Sequence, residues 1–202
     1  MAVIESTAGV RKARSPQDLE AVGRVLAAGF QDDPVLAWTI PDTRRRRELL
    51  PPTFALFVEA LARHGETYLS DDGAGAALWV PPEAEPMDEH AAEKWGQRLS
   101  EVMGPDTARM VELMAALDEH HPHGSLYYLN LVAVDPQRQG QGVGSMLLEH
   151  VLERCDREET PAYLEATSEG GKRLYERHGF EALEPFTLPG GPPLYPMWRQ
   201  PS

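Results

Sequence analysis

The chain has 202 residues, of which 42% are hydrophobic and 25% charged, and its formal net charge is −13. That length suits one domain with a substantial core, and so acidic a chain lacks the electrostatic footprint of a nucleic-acid binder. No apolar run approaches the roughly 20 residues of a membrane span, and the N-terminus has no basic segment leading into a long apolar one. A single cysteine, Cys155, excludes an internal disulfide and falls on an apolar helix face, where it reads as core filler. The expectation is a cytoplasmic protein with one domain over residues 10–202 and a flexible N-terminus over 1–9. The charge reads as solubility, with attraction of cationic amines as the alternative.

Residues 10–14 can form a first strand. Ser15-Pro16-Gln17-Asp18 then reads as a helix start: a Ser N-cap, Pro at the first helical position and an acid three residues after the cap. Leu19, Val22, Leu26 and Phe30 give this helix one apolar face, and Asp32-Asp33-Pro34 breaks it. Arg44-Arg45-Arg46-Arg47 opens a second helix and reads as a solvated face, the alternative being that one arginine meets a cofactor phosphate. Leu50, Phe54, Phe57, Val58 and Leu61 lie along that helix; Pro51-Pro52 must interrupt or kink its start, and His64-Gly65 closes it.

Residues 67–70 and 76–80 read as a hairpin around Asp71-Asp72-Gly73. Residues 81–124 form an insertion with two helical patterns, Trp95/Leu99/Val102/Met103 and Met110/Leu113/Met114/Leu117, separated by Gly104-Pro105-Asp106. Its apolar residues read as core, with a lid or wall over a binding site as the alternative. An apolar strand near Leu129–Val134, a helix on Val143, Leu147 and Val151, a strand through Glu165 and a short helix to Tyr175 follow. Two strands around Phe186 and Leu194–Trp198 end the chain, with their turn at Gly190-Gly191-Pro192-Pro193.

The junction after the 129–134 strand carries the chemistry. Asp135-Pro136 ends the strand, Gln139-Gly140-Gln141-Gly142-Val143-Gly144 follows, and a helix begins at once. Alternate glycines let backbone approach a ligand, and a helix N-terminus directs free N–H groups and a positive dipole at it. Such a loop suits a pyrophosphate. A nucleotide P-loop needs Lys then Ser or Thr after its last Gly, and Ser145-Met146 stands there instead. The dinucleotide fingerprint is G-x-G-x-x-G directly after the strand, whereas here the spacing is G-x-G-x-G after an intervening turn.

The loop resembles that of the GNAT superfamily of acetyl-CoA-dependent N-acetyltransferases, whose pattern is (Gln or Arg)-x-x-Gly-x-(Gly or Ala). Two registers fit, Gln139/Gly142/Gly144, which is preferred, and Gln137/Gly140/Gly142. Tyr163-Leu164-Glu165-Ala166-Thr167 is similar to the family's next strand, and Leu174-Tyr175-Glu176-Arg177-His178-Gly179-Phe180 to its Leu-Tyr-x-x-x-Gly-Phe helix end. Ala27-Ala28-Gly29-Phe30 before Asp33-Pro34, then Leu78-Trp79-Val80-Pro81 and Gly191-Pro192-Pro193, resemble the puromycin N-acetyltransferase branch most. The resemblance implies an α/β fold: a mixed, mostly antiparallel sheet of six or seven strands, splayed at the cofactor strand and flanked by helices, with a helical insertion between strands 3 and 4. It implies acetyl-CoA held by Val132, Ala133, Val134, Gln139, Gly140, Gln141, Gly142, Val143, Gly144, Ser145, Ser168 and Tyr175. The amide near Val132 would also face the thioester oxygen. The family's frequent Asn before the tyrosine helix is absent from 167–173, and Ser168 is the candidate substitute.

By the same resemblance Tyr175 is the candidate general acid, its phenol near pKa ~10 able to protonate a thiolate whose acid has pKa ~8.5; the alternative is a packing tyrosine. Glu165 is the candidate base, with structural hydrogen bonding as the alternative. Asp33 is the runner-up for holding the ammonium. Phe30, Asp33, Trp38, Trp79 and Tyr128 are the candidate acceptor contacts. Of the aromatics Phe30, Trp38, Trp79, Tyr127 and Tyr128, core packing should claim at least three. His120-His121-Pro122-His123 has no partner spacing for a metal, so none is expected. The expected function is acetyl transfer to the primary amine of a small molecule, an antibiotic or metabolite, by direct attack in a ternary complex. The alternatives are a protein or peptide amine, or a non-catalytic acetyl-CoA-binding domain. Expected partners are the small amine alone, without nucleic acid or membrane, on a monomer or homodimer.

Overall fold

The structure, a computed structural model, describes residues 9–202. The expected flexible segment 1–9 lies outside the described residues except for Gly9, whose N–H donates to Asp71 Oδ2 at 3.0 Å. The elements run β1 (Val10–Lys12), α1 (Pro16–Gly29), α2 (Pro34–Thr39), α3 (Thr43–Ala62), β2 (Thr67–Ser70), β3 (Gly75–Val80), α4 (Glu89–Met103) and α5 (Thr107–His120). They continue β4 (Tyr127–Val134), α6 (Val143–Arg157), β5 (Ala162–Ala166), α7 (Glu169–Arg177), β6 (Glu181–Ala182), β7 (Phe186–Thr187) and β8 (Pro193–Arg199). The strands form one sheet of eight in the order β1-β2-β3-β4-β5-β8-β6, with β7 also on β8. Every pairing is antiparallel except β4 with β5. The strand beyond the expected six or seven is β6, two exposed residues without apolar alternation to announce them.

The sheet is covered on both faces. Ala76 and Leu78 of β3 join a core with α1 to α5, while Ala77 and Trp79 between them face a second core built on α6. That is the period-2 alternation of a strand, read here as a continuous apolar run because both sides are buried. Cys155 is fully buried in the α6 core, and burial pushes its thiol up to about 12.

Local signals explain the helix ends. Ser15 and Asp18 form the reciprocal capping box of α1, Asp18 N–H donating to Ser15 Oγ at 3.1 Å and Ser15 N–H to Asp18 Oδ2 at 3.2 Å. Asp33-Pro34 does more than break that helix: Asp33 Oδ1 accepts from Val35 N and Leu36 N and so starts α2, which sequence reading missed. Helix α3 runs without a break through Pro51 and Pro52, contrary to expectation. Both prolines are exposed, so the carbonyls that lose a donor lie on the water side.

The arginine run is also corrected. Arg44, which pairs with Glu48, and Arg47 are exposed as a solvated face expects; Arg45 bonds Asp106 at 2.7 Å, and Arg46 is buried, donating to Gln31 O and Ile40 O at 2.7 Å each. Arg45 and Arg46 are thus engaged within the helical layer. The insertion between β3 and β4 is α4 and α5. Helix α4 braces α3: Trp95 Nε1 donates to Leu56 O at 3.1 Å, its ring meets Phe57 edge-on at 5.1 Å, and Arg98 makes two bonds to Glu59.

Candidate active site

Strands β4 and β5 pair only at Tyr127 with Ala162 and Tyr128 with Tyr163. From there to Val134, β4 keeps only its β3 partner. Main-chain groups on the β5 side of β4 are therefore left open, and a cavity of about 480 Å³ continues from this split to the start of α6. Val132, Val134, Gln139, Gly140, Gly142, Val143, Gly144, Ser145 and Ser168 line it. Gly140 and Gly142 have φ of 73° and 85°, a left-handed backbone that favours glycine. Gly142 is the N-cap of α6 and offers no side-chain acceptor, so the first-turn N–H groups remain open to a ligand.

Two expected cofactor residues stand apart. The Ala133 side chain faces α1, where a Cβ on Gly29 would lie 2.7 Å from its own Cβ. Gln141 turns outward to Gln137 O and Arg138. Ser168 lines the cavity and caps α7, its Oγ accepting from Gly171 N at 3.1 Å. Sequence reasoning missed Arg138, Arg177, Gly170, Gly171 and Leu174 on the same wall. It also missed His178, whose Nε2 lies 2.9 Å from Ser145 Oγ. No local periodicity marks these residues, because α7 meets the loop only through the tertiary fold.

Val132 also borders a small space of about 100 Å³, lined by Phe30, Tyr128, Asn130, Glu165, Thr167 and Tyr175 among others. Both candidate proton carriers line this central space, and Tyr175 borders it rather than the loop cavity. A Cβ on Gly171 would approach Tyr175 Cε2 to 3.4 Å, so that glycine leaves the phenol ring room beside the loop cavity. Burial raises the Tyr175 phenol above its ordinary value, with the Asp33 carboxylate adding to the effect. Burial likewise pushes the Glu165 carboxyl up to about 7, against the opposing hydrogen bond from Tyr128. Tyr128 Oη donates to Glu165 Oε2 at 2.8 Å, and Oε1 is buried without a partner among the described residues. Glu165 is therefore a carboxyl that can take up and give up a proton near neutral pH.

The central space shares Leu113, Leu117, Tyr128 and Asn130 with the lining of a third cavity of about 340 Å³ between α3 and α5. Leu99, Met103, Met110 and Leu113 of the insertion are core, as read from the sequence, and α5 also forms one wall of this cavity. Phe30 and Tyr128 reach this system. Three other candidates do not. Trp79 is fully buried in the α6-side core. Trp38 stands against Gly191 under the Arg109 guanidinium, 5.4 Å from its ring. Asp33 spends its carboxylate on the α2 cap and on the Thr167 hydroxyl, and borders none of the three cavities. Tyr127 points elsewhere too, donating to Glu158 at 2.6 Å. His120 stacks on Phe186 and His121 meets Tyr128 edge-on; among the described residues no group of three His, Cys, Asp or Glu could hold a metal.

A splayed sheet with a glycine loop at the split is the GNAT fold, and the chain is an acetyltransferase. Residues 106–182 match the acetyltransferase (GNAT) domain. A relative described as an uncharacterized N-acetyltransferase of Schizosaccharomyces pombe is 24% identical over 180 residues, covering 81% of this chain and 71% of its own. A Corynebacterium glutamicum structure, described as histone acetyltransferase HPA2 and related acetyltransferase, is 28% identical with a TM-score of 0.74, over 96% of this chain and 97% of that one. Arylalkylamine N-acetyltransferase 2 of Aedes aegypti shares the fold at 14% identity and a TM-score of 0.65, over 98% of this chain and all (100%) of its own. The Drosophila melanogaster polyamine N-acetyltransferase, which forms N-acetylagmatine, does so at 17% and 0.62, over 96% and 99%. No helix among the described residues is long and apolar enough to cross a membrane.

Proposed function

We propose that the protein transfers acetyl from acetyl-CoA to the primary amine of a small molecule, by direct attack with both substrates bound. The observation that carries this reading is Glu165: a largely buried carboxyl at about 7, lining the same small space as Tyr175 and Val132 of β4. The donor site fits the cofactor in its chemistry. Free first-turn amides of α6 and the left-handed Gly140 and Gly142 suit a diphosphate, and unpaired main chain of β4 suits an amide-bearing arm.

Bound acetyl-CoA would supply an activated acetyl thioester. The chain's own residues manage the protons. An amine with pKa near ~10.4 arrives as ammonium and must lose a proton before its lone pair can attack. Glu165 Oε1, unpartnered and near neutral in affinity, accepts that proton directly or through a water. Tyr175, held protonated by burial, keeps a proton at Oη for the departing sulfur. Apolar walls exclude water and so limit hydrolysis of the donor.

The wall formed by α5 favours a small acceptor over a protein amine, which would need an open cleft. Kinship with the puromycin-type branch rests on the sequence markers alone. The test is release of free CoA from acetyl-CoA by the pure protein against a panel of amines, with the acetylated product identified by mass. Turnover of a small primary amine is expected; acetylation only of protein amines, or of none, would refute the proposal.

A further inference from the structure

We infer that His178 is a positioning residue for the cofactor: its Nε2–H holds the Ser145 oxygen, so that the Ser145 hydroxyl turns its own hydrogen toward a diphosphate in the loop cavity. The inference rests on the reading of that cavity as the acetyl-CoA site. Ser145 stands in the first turn of α6 and lines the cavity beside Gly142 and Gly144. Its Oγ lies 2.9 Å from His178 Nε2. His178 does not itself border the cavity, so it reaches a ligand there only through Ser145.

The direction of this hydrogen bond decides what the cavity offers. A serine hydroxyl has one hydrogen and two lone pairs, and a neutral imidazole carries its proton on one nitrogen only. With that proton on Nδ1, Nε2 takes the Ser145 hydrogen, and the hydroxyl shows a diphosphate only lone pairs, which repel it. With the proton on Nε2, the imidazole donates to Oγ. The Ser145 hydrogen is then free for a phosphate oxygen, a charge-assisted bond that adds to the open first-turn amides of α6.

The surroundings of the ring favour the second arrangement. Glu149 Oε1 lies 3.9 Å from Nδ1, beyond hydrogen-bond reach, so it does not fix a proton there. Burial holds the imidazole below its ordinary value, opposed by Glu149 and assisted by the Arg177 and Arg199 cations, so the ring carries a single proton at neutral pH. The backbone beneath the ring is clamped as well. His178 N–H donates to Tyr175 O at 2.9 Å at the end of α7, and its carbonyl accepts from Arg199 Nε at 2.9 Å. Arg199 in turn makes two bonds to Asp156 of α6, at 2.7 and 2.8 Å. These ties hold α7 against α6, so the contact between imidazole and hydroxyl is formed before a ligand arrives.

The test is a mutant cycle read by calorimetry of acetyl-CoA binding to His178→Leu, Ser145→Ala and the double variant, with thermal unfolding as the check of folding. Each single change should weaken binding about tenfold, the order of a hydrogen bond to a charged group. The double variant should also lose about tenfold, rather than about a hundredfold, because His178 acts through Ser145. His178→Gln, whose amide can donate to Oγ, should bind within about twofold of the wild type. In the wild-type complex with acetyl-CoA, nitrogen NMR of labelled histidine at about pH 7.5 should find the His178 proton on Nε2. Losses that multiply in the double variant, undiminished binding by His178→Leu, a His178→Gln loss as large as that of His178→Leu, or a bare Nε2 in the complex overturns this inference alone. A wild-type protein that binds no acetyl-CoA overturns the cofactor reading on which it rests.

Discussion

If Glu165 is the base, the pH dependence of kcat at saturating substrates should report its shifted titration. With a carboxyl at about 7, the ionised fraction is about 0.09 at pH 6 and about 0.91 at pH 8, from the simple titration relation. The sign is fixed: the carboxylate is the active form, so kcat rises about tenfold over that interval and then levels. A carboxyl at an ordinary ~4.3 would be almost wholly ionised at both values and give a flat profile. Tyr175 adds no falling limb in this range, because its phenol is raised above the ordinary value and stays protonated. Tyr128→Phe sharpens the test. Its hydrogen bond holds the Glu165 carboxyl down, so losing it should move the midpoint of the limb upward. Glu165→Gln should abolish the limb and lower kcat by a factor on the order of 10²–10⁴, the range for a lost general base. The assay is stopped-flow or thiol-coupled release of CoA across pH 5.5–9, with an acceptor held saturating throughout. A flat profile in the wild type, or a Gln variant that keeps both rate and limb, would refute the assignment.

Other perturbations test neighbouring parts. Tyr175→Phe should slow kcat at least tenfold while leaving acetyl-CoA affinity unchanged; an unaffected rate constant would remove Tyr175 from proton transfer. Gly142→Glu forces a side chain onto a φ of 85° and sets a negative charge at the α6 N-terminus, so calorimetry should detect no acetyl-CoA binding; full retention would refute the loop as the diphosphate site. Gly29→Ala would place a Cβ 2.7 Å from Ala133 Cβ and 3.1 Å from Val134 O. Such overpacking against a sheet costs about 1–3 kcal/mol, so thermal unfolding should shift down by several degrees, and an unchanged melting temperature would show that α1 yields freely.

Local patterns in the chain were enough to define several elements. Ser15 and Asp18 announce the start of α1 because a capping box is satisfied within four residues. The 139–144 glycines announce the loop because backbone geometry at Gly140 and Gly142 depends on those residues themselves. The hairpin and the two insertion helices are legible for the same reason: turn chemistry and apolar period act over short range. What the sequence could not decide is which partner a side chain meets across layers. Trp79 and Tyr128 are equally aromatic, yet one is sealed in the α6-side core and the other bonds Glu165, because the sheet is covered on both faces and the strand pattern does not name the faces. Asp33 reads as an ammonium partner until α2 claims one carboxylate oxygen and Thr167 the other, and Arg46 reads as solvated until carbonyls of two other segments enclose it. The Glu165 titration is likewise a tertiary fact. It depends on how much water the packing around β4 and β5 leaves beside the carboxyl, a quantity no local stretch of residues encodes.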